Sequence, residues 1–176
     1  MGKVAVLDRN GSQSEGLTVH DVLWGINHEE GFLYELHEGA LRMAPTAGYE
    51  HQRLGYRLCR HFDDRGREAT QEVGIQFDQY NFRIPDVARL RPGVVPPPRG
   101  PVAPDLFDLV IEVESPTTRD EDRIVKPKVY AQAGIPEYWR VQAEPSGYVV
   151  HIYRLEGVRY VETRVVPVEE LFAEEA

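Results

Sequence analysis

The run Phe107-Asp108-Leu109-Val110-Ile111-Glu112-Val113-Glu114 constrains this chain more than any other stretch, because it is a strand that carries carboxylates where a buried strand should be apolar. Side chains alternate across a strand, so Leu109, Ile111 and Val113 share one face while Asp108, Val110, Glu112 and Glu114 share the other. The first face is expected to be core. Charges buried beside it are costly unless something charged pairs with them, which makes the acidic face the candidate site.

Two further features complete the pattern. Pro85-Asp86 closes an earlier apolar run, and Lys126 follows one helical stretch after the acidic strand. Mg²⁺ binds through a few carboxylates and keeps several waters, the open coordination that phosphate cleavage needs. An ammonium beside it stabilises charge developing on the phosphate. Asp86 and Glu112 are therefore the expected metal ligands, Glu114 is a third candidate ligand, and Lys126 is the polarising base or charge stabiliser. The segment Thr117-Thr118-Arg119-Asp120-Glu121-Asp122-Arg123 reads as a helix start, a Ser/Thr cap with acids in its first turn. Three- and four-residue steps then place Arg119, Arg123, Lys126 and Tyr130 on roughly one face. Pro127 should kink this helix or end its first half.

The stretch from Asp108 to Asp120, with Lys126 and the run Tyr130-Ala-Gln-Ala-Gly134-Ile-Pro136-Glu137-Tyr138-Trp139, resembles the Uma-two family of restriction-endonuclease-like proteins. Tyr34-Glu35-Leu36-His37-Glu38-Gly39-Ala40-Leu41, His51-Gln52 and Pro85-Asp86-Val87-Ala88 extend the resemblance over about residues 18 to 163, four separated segments agreeing in order and spacing. It implies an α/β domain of the PD-(D/E)XK nuclease type, a mixed central sheet flanked by helices. It assigns metal binding to the positions of Asp86 and Glu112, and the lysine role to Lys126 on a helix rather than two residues after the glutamate. Glu114 departs from the family pattern, which is usually apolar there. A third acid would either join the metal shell or repel substrate. Glu35 and His51 match family segments as auxiliary candidates, set against structural hydrogen-bond roles.

With 176 residues and 41% hydrophobic content, one good core is the default. The expected organisation is a mobile tail over 1–17, which holds Gly-Ser-Gln-Ser-Glu-Gly, and a single domain over 18–176. No apolar run approaches membrane-spanning length and the first residues do not resemble a signal peptide, so the expectation is a cytoplasmic protein without membrane contact. The single cysteine, Cys59, excludes an internal disulfide and a cysteine-rich zinc site, and its helical neighbours mark it as core. His20, His28, His37, His61 and His151 show no metal-ligand spacing.

Local signals give a short helix from Thr18 to near Glu30 and a hairpin of 32–37 with 40–44 around Glu38-Gly39. A helix over about 48–65 follows, then a strand pair 72–77 and 81–90, and an extended Pro-rich loop over 92–101. Strands over 137–142, 148–155 and 159–166 end the chain.

A net charge of −9 opposes tight non-specific nucleic-acid binding. A local positive rim is still open, from Arg53, Arg57, Arg60, Arg65 and Arg67 with Arg119 and Arg123 as nucleic-acid contacts, against the plain alternative of solvated helix faces. The functional expectation is a Mg²⁺-dependent, or Mn²⁺-dependent, endonuclease hydrolysing DNA phosphodiesters, with a homodimer as a further expectation because a double-strand cut needs two sites. Two other classes stay open: a non-catalytic nuclease-like module that binds protein or nucleic acid, and a hydrolase of small phosphoesters.

Overall fold

The structure, a computed structural model, describes residues 5–7, 13–115 and 119–174. It opens on a short antiparallel ribbon of β1 (Ala5–Leu7) and β2 (Gln13–Glu15). The rest of the stretch expected as a tail before Gln13 lies outside the described residues. Thr18 and Asp21 then exchange hydrogen bonds: the backbone N–H and hydroxyl of Thr18 donate to Asp21 Oδ2 at 2.8 and 2.7 Å, and the Asp21 N–H donates to Thr18 Oγ1 at 3.2 Å. This reciprocal cap starts a π-helical turn over Asp21–Gly25, shorter than the helix expected from the sequence.

β3 (Phe32–His37) and β4 (Ala40–Pro45) form the expected hairpin. Glu38 and Gly39 both take positive φ, 50° and 81°, the turn whose twist matches that of antiparallel strands. α1 (Tyr49–Asp63) buries Leu54, Leu58, Cys59 and Phe62 on one stripe. Cys59 is a core residue, its thiol pushed up to about 11 by burial and by nearby Asp63.

The next strand pair departs from expectation in an informative way. Each arm breaks in two and changes sheet: β5 (Ala69–Gln71) pairs with β8 (Val87–Leu90), while β6 (Ile75–Gln76) pairs with β7 (Phe82–Arg83). On one arm the break falls at Glu72, with φ of 50°, and at Gly74, where a Cβ would lie 2.5 Å from the Phe82 ring. On the other it falls at Ile84-Pro85-Asp86, where proline removes a backbone donor. Asp86 thus sits where the chain passes between two sheets.

Among the described residues these sheets have four strands in the order β4-β3-β7-β6, and six in the order β12-β11-β10-β9-β8-β5. In the larger one β9 (Phe107–Val113) runs parallel to β10 (Glu137–Glu144), and the crossover between them is a π-helical turn (Glu121–Val125) leading into α2 (Lys126–Gln132). The Lys126 N–H donates to the Glu121 carbonyl, five residues back, so the wider turn absorbs Pro127 without ending the helix. β11 (Gly147–Glu156), β12 (Arg159–Pro167) and the short α3 (Val168–Ala173) complete the chain.

Both faces of β9 are buried, as expected for a strand paired in parallel beneath a crossover helix. Leu109, Ile111 and Val113 pack with Leu54, Leu58, Phe62 and Leu171, while Phe107 and Val110 pack with Tyr130 and Tyr138. The acidic face is therefore core as well. A register irregularity between Arg89 and Leu90, opposite Asp108, breaks the alternation, so Phe107 and Leu109 join different clusters. Asp108 does not reach the Glu112 site. It is held instead by Arg67 and by Arg89, the latter at 2.8 Å.

Candidate active site

Glu112, 1% exposed, occupies the α2-facing side of β9. Its Oε2 accepts Lys126 Nζ at 2.7 Å and its Oε1 accepts the Tyr130 hydroxyl at 2.5 Å. Lys126 and Tyr130 stand one helical turn apart, so one face of α2 delivers both donors. Both carboxyl oxygens accept, one of them from an ammonium, which is the geometry of a lysine–carboxylate ion pair. Burial works against the charge on Lys126, but Glu112, Glu35, Asp122 and Asp86 outweigh it and hold the lysine well above its ordinary pKa. For Glu112, burial, joined by the carboxylates of Asp86, Asp122 and Glu35, pushes the pKa well above the ordinary carboxylate range against the downward pull of Lys126. What favours the ionised form is the Lys126 ammonium 2.7 Å from Oε2.

Antiparallel pairing of Val87 with Ile111 brings Asp86 alongside Glu112. Asp86 Oδ2 accepts the backbone N–H of Val113 at 2.6 Å and lies 3.3 Å from His51 Nε2. The same imidazole nitrogen contacts the Val113 carbonyl at 3.1 Å; since a carbonyl only accepts, Nε2 carries the proton. Burial lowers the His51 pKa and Asp86 more than restores it, leaving it above the ordinary value. Glu35 approaches from β3: its Oε1 accepts the Ile84 N–H at 2.8 Å and its Oε2 lies 2.9 Å from His37 Nε2. Burial opposes its ionisation, yet Lys126, His37 and the Ile84 N–H hold its pKa at about 2. Glu35 thereby pins the turn that carries Asp86.

Asp122, one turn before Lys126, adds a carboxyl oxygen 3.3 Å from Nζ. This is a residue that the sequence reading left out, although its i, i+4 spacing to Lys126 is the available signal. Tyr130, one turn beyond Lys126, packs in the core and also donates to Glu112. Arg83, 2% exposed, is the other omission: it donates to the carbonyls of Leu36 and Phe82 and feels Glu35, Glu121 and Glu112. A lone arginine in a two-residue strand gives no sequence signal.

Glu114 lies apart from this cluster. It accepts from Arg119 at 3.1 Å, from Arg123 at 2.7 and 2.9 Å and from Arg140 at 2.8 Å, and against its burial Arg123 and Arg140 keep its pKa low. Arg119 and Arg123 consequently do not share the face of Lys126, because the π turn rotates the segment that precedes α2. Most of the arginines expected as a rim are also engaged: Arg57 forks onto Glu169 at 2.9 and 2.7 Å, Arg60 pairs with Asp64, and Arg67 with Asp108. A cavity of about 700 Å³ opens beside the cluster, lined by His37, Arg42, Arg83 and Glu121 among others, though not by Asp86, Glu112 or Lys126.

Among the described residues, no group of three or more His, Cys, Asp and Glu side chains is arranged to hold a metal ion. The donor chemistry nevertheless fits a hard cation, since the carboxylates of Asp86 and Glu112 offer only oxygen and such an ion needs one or two of them with water. Among the described residues, no helix is long and apolar enough to cross a membrane.

Comparison with known proteins bears on the fold. No curated protein matches the chain. A crystal structure of a "putative nuclease belonging to DUF820" from Anabaena variabilis ATCC 29413 superposes with a TM-score of 0.65 at 17% identity, covering 89% of this chain and 98% of that one. The mixed sheet flanked by helices is the fold of that protein. The model of the Uma2 family, described as "Putative restriction endonuclease", matches residues 23–176, and the chain belongs to that family.

Proposed function

We propose that this protein is a divalent-metal-dependent endonuclease that hydrolyses DNA phosphodiesters. The observation that carries the reading is the buried Lys126–Glu112 contact at 2.7 Å with Asp86 alongside, an acid, acid and lysine cluster that a purely structural core would not need. The descriptions of the family and of the Anabaena protein agree with it. Asp86 and Glu112 are the residues that would hold Mg²⁺ or Mn²⁺; when bound, the ion supplies Lewis-acid stabilisation of phosphate charge and lowers the pKa of water.

The chain's own groups do the rest. Lys126 is held as an ammonium, so it serves as a charge stabiliser rather than as a base. Its Nζ donates to Glu112 and lies 3.3 Å from Asp122 Oδ1, and an ammonium with three N–H donors has capacity left for a phosphate oxygen. His51 and Glu35 are positioning groups, fixing Asp86 and its turn. Hydrolysis on this scheme adds water across one P–O bond and releases a phosphomonoester and an alcohol.

A second reading has a specific observation in its favour. Both oxygens of Glu112 are engaged by Lys126 and Tyr130, and the chain carries a net charge of −9, as suits a nuclease-like module that binds without cutting. The deciding experiment incubates the protein with supercoiled, linear double-stranded and single-stranded DNA in Mg²⁺ or Mn²⁺. Cleavage that EDTA stops and Glu112→Gln abolishes supports the enzyme; no cleavage of any substrate by folded wild type with either metal favours the module.

A further inference from the structure

A second cavity, of about 260 Å³, lies across the helical segment from the carboxylate cluster. Asp122, one helical turn before Lys126, and Pro127, directly after it, form part of its wall. Four cations line it, Arg123, Lys128, Arg140 and Arg159, against the single carboxylate of Asp122, whose Oδ1 lies 3.3 Å from Lys126. In a chain of net charge −9 this is a local reversal of sign. Two of the guanidiniums are fixed in place, since Arg123 and Arg140 both bond the buried Glu114. One carboxylate cannot neutralise them and Arg119 together, so the rim keeps excess positive charge.

The remaining wall is aromatic. Tyr153 and Tyr160 flank Tyr138, with ring centroids 5.8 and 5.5 Å from it. Their hydroxyls are already engaged: Tyr138 donates to the Asp122 carbonyl, Tyr160 to the Ile135 carbonyl, and Tyr153 accepts from Arg140. Ring surface is what they contribute to the cavity. Exposed apolar side chains, Ile124 and Val158, complete the lining. Fixed cations beside ring surface are the combination that takes a phosphate together with a flat base. The volume falls below the ~300 Å³ at which drug-sized sites begin, so one nucleotide unit fits and a folded segment does not.

We propose that this cavity binds a single nucleotide unit, its phosphate among Arg123, Lys128, Arg140 and Arg159 and its base against Tyr153 and Tyr160. The site does not depend on the cleavage reading, because it shares neither Asp86 nor Glu112. The test is calorimetric titration of the full chain in EDTA with dAMP, with deoxyadenosine and with a short 5′-phosphorylated single-stranded oligonucleotide. Saturable binding of dAMP or of the oligonucleotide is expected, about tenfold weaker for deoxyadenosine and for the exposed-residue variants Lys128→Ala and Arg159→Ala. Preference for dAMP identifies a free nucleotide as occupant, and preference for the oligonucleotide a strand end. Absence of saturable binding to folded wild type, or equal binding by Lys128→Ala/Arg159→Ala, overturns the proposal, and neither outcome touches the question of cleavage.

Discussion

Asp86 accepts the backbone N–H of Val113 at 2.6 Å, so the carboxylate that the sequence marks as a metal ligand also ties the loop from the smaller sheet to the end of β9. His51 closes the arrangement by contacting the Val113 carbonyl and Asp86 together. The site is thus held by backbone atoms of the acidic strand itself, and small shifts of β9 move both carboxylates at once.

Metal binding should appear first as stability. An ion shared by Asp86 and Glu112 at about ten times its dissociation constant contributes about 1.4 kcal/mol, which for a chain of this size raises Tm by about 3–6 °C. Asp86→Asn should remove that response to Mg²⁺ or Mn²⁺. Thermal scans in which the variant responds as strongly as wild type would place the ion elsewhere.

The burial of Glu112 changes what a lysine substitution means. Lys126→Ala leaves an uncompensated carboxylate in the core and should cost about 3–5 kcal/mol, so loss of cleavage by that variant alone says little about catalysis. Lys126→Met combined with Glu112→Gln removes both charges and should recover most of the stability in urea unfolding while remaining inactive. If the double variant is no more stable than Lys126→Ala, the ion pair is not what the fold depends on.

The strand, hairpin and helix signals of this sequence are local and were therefore readable: Glu38-Gly39, the α1 stripe and the acidic end of β9 lie where periodicity and turn chemistry place them. The resemblance to a nuclease family was legible for the same reason, being carried by short contiguous segments. The splitting of the 72–90 pair between two sheets was not, since it depends on Glu72 and Pro85 breaking opposite arms at one level, a relation between residues distant in sequence. The partners of Glu114 were equally hidden. A π turn of one extra residue redirects Arg119 and Arg123 away from Lys126, and Arg140 arrives from β10 through parallel pairing.

Glu35 should leave a signature in acid. Its pKa falls from 4.5 unfolded to about 2 folded, so its ionisation stabilises the native state fully above pH 4.5. That contribution, about 3 kcal/mol, is lost as pH falls through about 2. Glu35→Gln should lower neutral-pH stability by a similar amount and flatten the decline between those values. Parallel acid-denaturation curves for wild type and variant would show that some other carboxylate governs it.

Glu114 separates a metal ligand from a clamp. With its carboxylate gripped by Arg119, Arg123 and Arg140, its removal should release three guanidiniums, two of them at the surface and one mostly buried. Glu114→Ala is expected to lose about 2–4 kcal/mol, chiefly because Arg140 is left buried without its anion, and Glu114→Gln should lose less because it still accepts hydrogen bonds. Neither should weaken Mg²⁺ or Mn²⁺ binding measured by titration. A drop in metal affinity of about tenfold in folded Glu114→Gln would instead return this residue to the metal shell, where its place beside Glu112 in the sequence first put it.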